Sequence, residues 1–192
     1  MPNLVEEFMS SLGSEVSEKM SSKTNIDKGT IEQLLPVITP MILGGLKKQK
    51  DERGGQERVD HILNKYGDPS VLNNLDGLFD QKLNDNSTDP NLGGLLGNAG
   101  LDATNLLSKN LNADSSVVSK LIPMLAPVVL GFLTKKRDSG TGSSGLASLL
   151  DQDGDGSVLD DVAGLLLGGL GGGSKSSNPL SGLLGGLLGG NG

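Results

Sequence analysis

The sequence predicts an all-α protein: two tandem copies of a small multi-helix unit packed together, with a Gly/Leu-rich tail. Three observations predict it. Residues 25–80 align with 112–167 at a constant offset of 87 positions, so that LLPVITPMILGGLKK (34–48) pairs with LIPMLAPVVLGFLTK (121–135). A fixed-period internal repeat decides architecture before any local reading. Apolar residues recur at steps of three and four, whereas no segment alternates as a strand would. Each copy is short enough that its own core would be marginal, so the two copies are expected to bury their faces on each other. The implied units are 1–87, 88–174 and a tail from 175, with the glycine bias beginning near 170.

Residues 3–21 read as an amphipathic helix on Leu4, Val5, Phe8, Met9, Leu12 and Val16. Its counterpart is 102–111, with Asp102 as the expected cap. The next helix carries Ile31, Leu34, Leu35, Ile38, Met41, Ile42 and Leu46 in the first copy. Val118, Leu121, Ile122, Leu125, Val128, Val129 and Leu133 are its counterparts in the second. Asp27 and Asp114 stand where an N-cap acceptor is wanted. Lys47 and Lys48, and Lys135, Lys136 and Arg137, suit the negative end of the helix dipole.

Each of these helices holds two prolines four apart, Pro36 and Pro40, then Pro123 and Pro127. An internal proline removes a hydrogen bond and costs about 3 kcal/mol or more. The helix either kinks or breaks into two. A kink is favoured, because the apolar period crosses the prolines without a phase jump. Gly44 and Gly131 follow, where a neighbouring backbone could come close.

Segments 48–56 and 136–145 read as polar linkers. Residues 56–65 and 144–150 read as short helices, and 70–82 and 157–169 as helices capped by Ser70 and Ser157. Residues 84–92 form the joint between copies. The tail reads either as disordered or as a segment for self-association or a membrane surface, through Leu183, Leu184, Leu187 and Leu188.

Composition excludes several classes of function. The formal charge of −7 argues against nucleic acid, which needs a basic surface. With no cysteine there is no disulfide, thiolate metal site or thiol nucleophile. The start, MPNLVEEFMSS, lacks the basic and apolar regions of a secretory signal, and no uncharged apolar run reaches about 18 residues. A cytoplasmic protein is therefore the default expectation, with the cell envelope left open. No Ser/His/Asp arrangement, phosphate-binding glycine loop or paired carboxylates in an apolar setting point to an enzyme.

The sharpest chemical signal is DQDGDGSVLDD at 151–161. It resembles the first half of an EF-hand loop. Asp151, Asp153 and Asp155 supply oxygens at positions 1, 3 and 5, Gly156 permits the bend, and the Ser157 carbonyl adds a fourth ligand. Position 12 is Val162, where an EF-hand needs a bidentate glutamate. The closing ligand then falls to Asp161, with Asp160 as the second candidate. Calcium is the expected ion. The competing reading is a solvated Asp/Gly turn before a capped helix. Zinc is disfavoured, since His61 is the only imidazole.

The first copy carries Asn64, Tyr66, Asp68 and Pro69 at the same places, with Asn73 and Asn74 for the two closing acids, a poor donor set. Tyr66 reads as a packing residue and His61 as exposed or near a cap.

The proline helix followed by Asp151, Asp153, Gly154, Asp155, Gly156, Ser157, Leu159, Asp160 and Asp161 resembles a bacterial family of unknown function, the domain of unknown function 937 family, grouped with YidB-like proteins. The resemblance is best over 112–170 and weaker in the first half. It implies a small all-helical bacterial protein and brings no catalytic residues. The combined expectation is a non-enzymatic helical module that binds calcium and has another copy or another protein as partner. The alternative is a metal-free protein acting through its Leu/Gly tail at a membrane surface or on itself.

Overall fold

A computed structural model describes residues 4–111 and 114–141 of the chain. Every regular element among the described residues is helical. The first is α1 (Leu4–Phe8), which runs through a π-helical turn (Met9–Gly13) into α2 (Ser14–Thr24). Leu4, Phe8, Val16 and Met20 are buried along it. Asn25 ends this rod in the left-handed region (φ 59°), where its N–H reaches the Ser21 carbonyl.

Helix α3 (Lys28–Arg53) begins at Asp27, whose carboxylate accepts the Thr30 N–H at 3.3 Å. Asp27→Ala is expected to cost about 0.5–2 kcal/mol, the usual loss for an N-cap acceptor, read as a lower urea midpoint with an unchanged slope. The helix runs through Pro36 and Pro40 without a break. It also runs past the expected stop at Lys47 and Lys48, so residues 48–53, expected as linker, are helical. Lys47 bonds Asp51 at 3.1 Å four residues on, and the chain turns only at Gly54, φ 139°.

Then come α4 (Gly55–Tyr66), a 3-10 turn (Pro69–Asn73) and α5 (Leu75–Asn84). Ser70 is not a helix cap. Its N–H donates to Asp68 at 2.9 Å, with Pro69 fixing the first residue of the turn. Asn74 caps α5 instead, accepting from the Gly77 N–H at 3.1 Å. Turns over 85–98 lead into α6 (Ala99–Asn110), which begins three residues before Asp102 and has no side-chain cap bond.

Helix α7 (Ser115–Lys136) starts at Asp114, which accepts the Ser116 N–H at 2.8 Å, and passes unbroken through Pro123 and Pro127. A further π-helical turn (Arg137–Thr141) follows. Fourteen of the 22 residues of α7 are buried, which makes it the central helix: it packs on α3, α4, α5, α6 and the 3-10 turn. A helix apolar on nearly every side needs covering all round, and the other helices supply that cover here. One continuous core runs from Leu4 to Leu133 and joins both halves of the sequence.

Two close backbone approaches pin this arrangement. A Cβ on Gly131 would lie 2.9 Å from the Asp68 carbonyl oxygen, so the 3-10 turn lies directly on α7 there. A second approach is made on α3 at Gly45, where a Cβ would lie 2.7 Å from the Leu95 carbonyl oxygen. By length and hydropathy, Lys28–Arg53 and Ser115–Gly140 could each cross a membrane. Neither holds an uncharged run of about 18 residues, because Glu32 and Lys47 bound the run in one and Lys120 and Lys135 the run in the other. Their most apolar windows are 61% and 78% buried inside the protein, which is how core helices pass the same test.

Candidate functional site: a cleft over the proline face of the central helix

The spacing of Pro123, Ala126, Pro127 and Leu130 puts all four on one face of α7. That face forms the floor of a cleft of about 690 Å³. The walls come from α4, α5, the end of α3 and the turns at 85–95. Because Pro127 has no N–H, the Pro123 carbonyl has no backbone donor four residues on.

The walls carry both signs of charge, Arg58, Lys65 and Lys82 beside Asp68, Asp85 and Asp89. Arg58 donates from Nε to Gln49 Oε1 at 3.2 Å, which ties α4 to α3. Each aspartate holds a turn. Asp85 accepts from the Ser87 N–H and hydroxyl at 2.8 and 2.6 Å. Asp89 accepts from the N–H groups of Asn91 and Gly93 at 2.9 and 2.8 Å. With these bonds the carboxylates shape the cleft by holding the turns that wall it.

Tyr66 is 55% exposed at the rim, with Lys65 Nζ 5.2 Å from its ring centroid. This corrects its expected role as a packing residue. A tyrosine at the end of α4 keeps its ring at the surface because the chain turns under it at Gly67. A Cβ on Gly67 would lie 2.6 Å from Thr134 Oγ1, so the glycine brings the chain directly against α7. His61 is exposed on the same helix.

The first-copy counterparts of the aspartate loop are not brought together around a centre. Asn64 accepts from Arg137 at 2.8 Å, Asp68 holds the 3-10 turn and Asn74 caps α5. Among the described residues, no group of three His, Asp or Glu side chains is placed to hold a metal. Asp151, Asp153, Asp155, Ser157, Asp160 and Asp161 lie outside the described residues, as do the expected helices at 144–150 and 157–169 and the tail.

Electrostatic ties hold the frame around the cleft. Lys19 and Asp76 pair at 2.6 Å, and Lys23 and Asp80 at 2.8 Å, joining α2 to α5. Lys136 pairs with Glu7, and Arg137 reaches Asp60 at 3.4 Å. The hydrogen bond from Lys19 holds the Asp76 carboxyl below its ordinary pKa, and Lys19 is raised in turn. Bonds from Ser70, Ser87 and Ser116 lower Asp68, Asp85 and Asp114.

A lowered carboxyl pKa stabilises the fold above the free-carboxyl range near 3.9, and that contribution is lost as pH falls through the lowered values. The raised Lys19 contributes below the free-lysine pKa and is lost as pH rises through its raised value. The urea midpoint is therefore expected to fall with acidification below about pH 4, and less so in Asp76→Asn. Equal acid slopes in the two proteins would remove Asp76 as a contributor.

Residues 6–136 match a family described as "Bacterial protein of unknown function (DUF937)". The chain belongs to this family. The DUF937 match starts in α1 and ends on the last residue of α7, so it takes in both proline helices and the whole cleft. The aspartate loop, which carries the resemblance in the sequence, lies beyond the matched residues, and the weaker first half lies within them. No curated protein and no solved structure matches the chain.

Proposed function

We propose that this DUF937 chain is a non-catalytic helical interaction module that binds a protein segment in the cleft over α7 and calcium in the loop at 151–161. The observation that carries the reading is the cleft itself. It has an apolar floor on Pro123, Ala126, Pro127 and Leu130, walls of both charges and an exposed tyrosine at the rim. Apolar floors with a few placed polar groups are the general form of binding sites, and an amphipathic ring at the rim gives contact area at low entropic loss. The turn-holding bonds of Asp85 and Asp89 favour binding over proton transfer.

Calcium is supported by the ligand types and spacing of Asp151, Asp153 and Asp155, with Ser157 and Asp160 or Asp161 completing the set. An unfolded chain cannot assemble these ligands, so binding stabilises the fold by linkage. A tandem duplication is supported by the 87-residue offset and by the matching Asp27 and Asp114 caps. The YidB-like grouping rests on the loop residues.

Calcium titration by calorimetry, with melts in calcium and in chelator, tests the metal. Heat of binding and a higher Tm in calcium are expected, and coincident melts without heat would remove calcium from the proposal. Tyr66 is the only tyrosine and no tryptophan is present, so its emission reports directly on cleft occupancy. A protein partner recovered by pull-down should change that emission, and Tyr66→Ala should weaken its binding. A partner that binds with both unaffected would move the site away from the cleft.

A further inference from the structure

The charged groups of the cleft are not equally committed. Its three carboxylates already hold donors of their own turns. Asp68 accepts the Ser70 N–H, Asp85 accepts both donors of Ser87, and Asp89 accepts the N–H groups of Asn91 and Gly93. The cations have no such partners. Arg58 donates only from Nε, to Gln49, which leaves the two terminal nitrogens of its guanidinium open among the described residues. Lys65 lies over the Tyr66 ring. Among the described residues, neither Lys65 nor Lys82 has a carboxylate within ion-pair distance. Lys82 does stand near enough to Asp85 to help lower its carboxyl pKa, which offsets part of that negative charge.

Helical spacing puts the open cations in order. Arg58, Ile62, Lys65 and Tyr66 all line the cleft from one face of α4, so this wall runs cation, isoleucine, cation. Lys65 follows Arg58 by two helical turns, about 10 Å along the axis. Arg58, Lys65 and Tyr66 are exposed, so solvent reaches the wall, while Ile62 is buried between them. Helices α4 and α5 each pack on α7, and both line the cleft. A segment laid along the floor therefore runs between them, with one edge against Arg58 and Lys65.

We propose, building on the reading of the cleft as a site for a protein segment, that the segment is acidic and apolar. Its carboxylates stand about 10 Å apart and pair with Arg58 and Lys65, and its aliphatic side chains rest on Ile62 and the floor of α7. The two open nitrogens of Arg58 suit a carboxylate, which accepts both at once. A basic segment fits less well. The oxygens it would seek already carry turn donors, and its own charge would face the two cations of α4. The formal charge of −7 belongs to the whole chain and acts on an acidic partner at a distance, where physiological salt screens it beyond about 8 Å. Arg58 and Lys65 act at contact.

A random peptide library without tyrosine or tryptophan, selected on the full-length protein, tests this, and Tyr66 emission reads cleft occupancy. The selected peptides should be rich in Asp, Glu and aliphatic residues and should change that emission. They should bind Arg58→Gln/Lys65→Gln about tenfold more weakly. Lys48→Gln/Lys109→Gln removes the same charge outside the cleft and should leave their affinity unchanged. All four side chains are exposed, so both double variants keep the fold. Basic or uncharged peptides that change the emission overturn the acidic class and leave the cleft as a binding site. Acidic peptides on which the two double variants act alike overturn it as well, because Arg58 and Lys65 then make no specific contact. Peptides that leave the emission unchanged, or a library that yields no binder, overturn the cleft reading together with the acidic class.

Discussion

Phe8→Ala is expected to destabilise the fold by about 3–5 kcal/mol, the range for removing a buried aromatic ring. Phe8 is 1% exposed and meets Phe132 edge-on, with ring centroids 5.5 Å apart at 77°. Edge-to-face pairs add about 0.5–1.5 kcal/mol beyond the area they bury. The pair closes α1 onto the end of α7, where Lys136 also reaches Glu7. Urea denaturation of the variant should show a lower midpoint at unchanged slope. A loss under about 1 kcal/mol would mean that α1 is not packed on α7.

Gly100→Ala is expected to be the most damaging of the single-methyl insertions. A Cβ on Gly100 would lie 1.9 Å from the Pro90 carbonyl oxygen and 2.6 Å from its carbon. No side-chain rotation relieves a clash between a methyl group and backbone. The Asn91 side chain holds that backbone in place, accepting the Leu101 N–H at 2.9 Å. Overpacking usually costs about 1–3 kcal/mol, and a contact this short belongs at or above the top of that range. Leu101→Ala, one residue on at a 47% exposed side chain, is the control and should change stability by less than about 0.5 kcal/mol. Similar losses at the two positions would sink the claim that residues 90–91 lie across the start of α6.

Much of the helical frame was legible from local pattern. Asp27 and Asp114 could be placed as caps because a capping carboxylate needs only the next two or three residues. The apolar period over Pro36, Pro40, Pro123 and Pro127 foretold unbroken helices, since a phase jump would have moved the buried face. Other features turned on which of several competing local contacts won, or on partners far along the chain. Residues 48–53 looked like a linker, yet they extend α3 through the pairing of Lys47 with Asp51 and the turn at Gly54. Ser70 looked like a cap, but Asp68 and Asn74 hold the two turns on either side of it. Of Gly44 and Gly131, the described residues show the close approach at Gly131, and Gly45 on α3 makes another that the sequence did not single out. The cleft had no sequence signal at all, because its floor and walls come from five separate stretches of chain.

The sequence by itself determined that this is a helical protein of bacterial DUF937 type, where its two proline helices begin, and which of their faces must be buried. Those properties follow from residue spacing and from backbone chemistry within one or two turns. Only the tertiary structure decided that α7 is the central helix, that Tyr66 faces outward, and that Gly45, Gly67, Gly100 and Gly131 mark places where another backbone lies close. The reason is that burial is a property of neighbours: a helix apolar on every side states that it needs covering, and only the folded chain says by what.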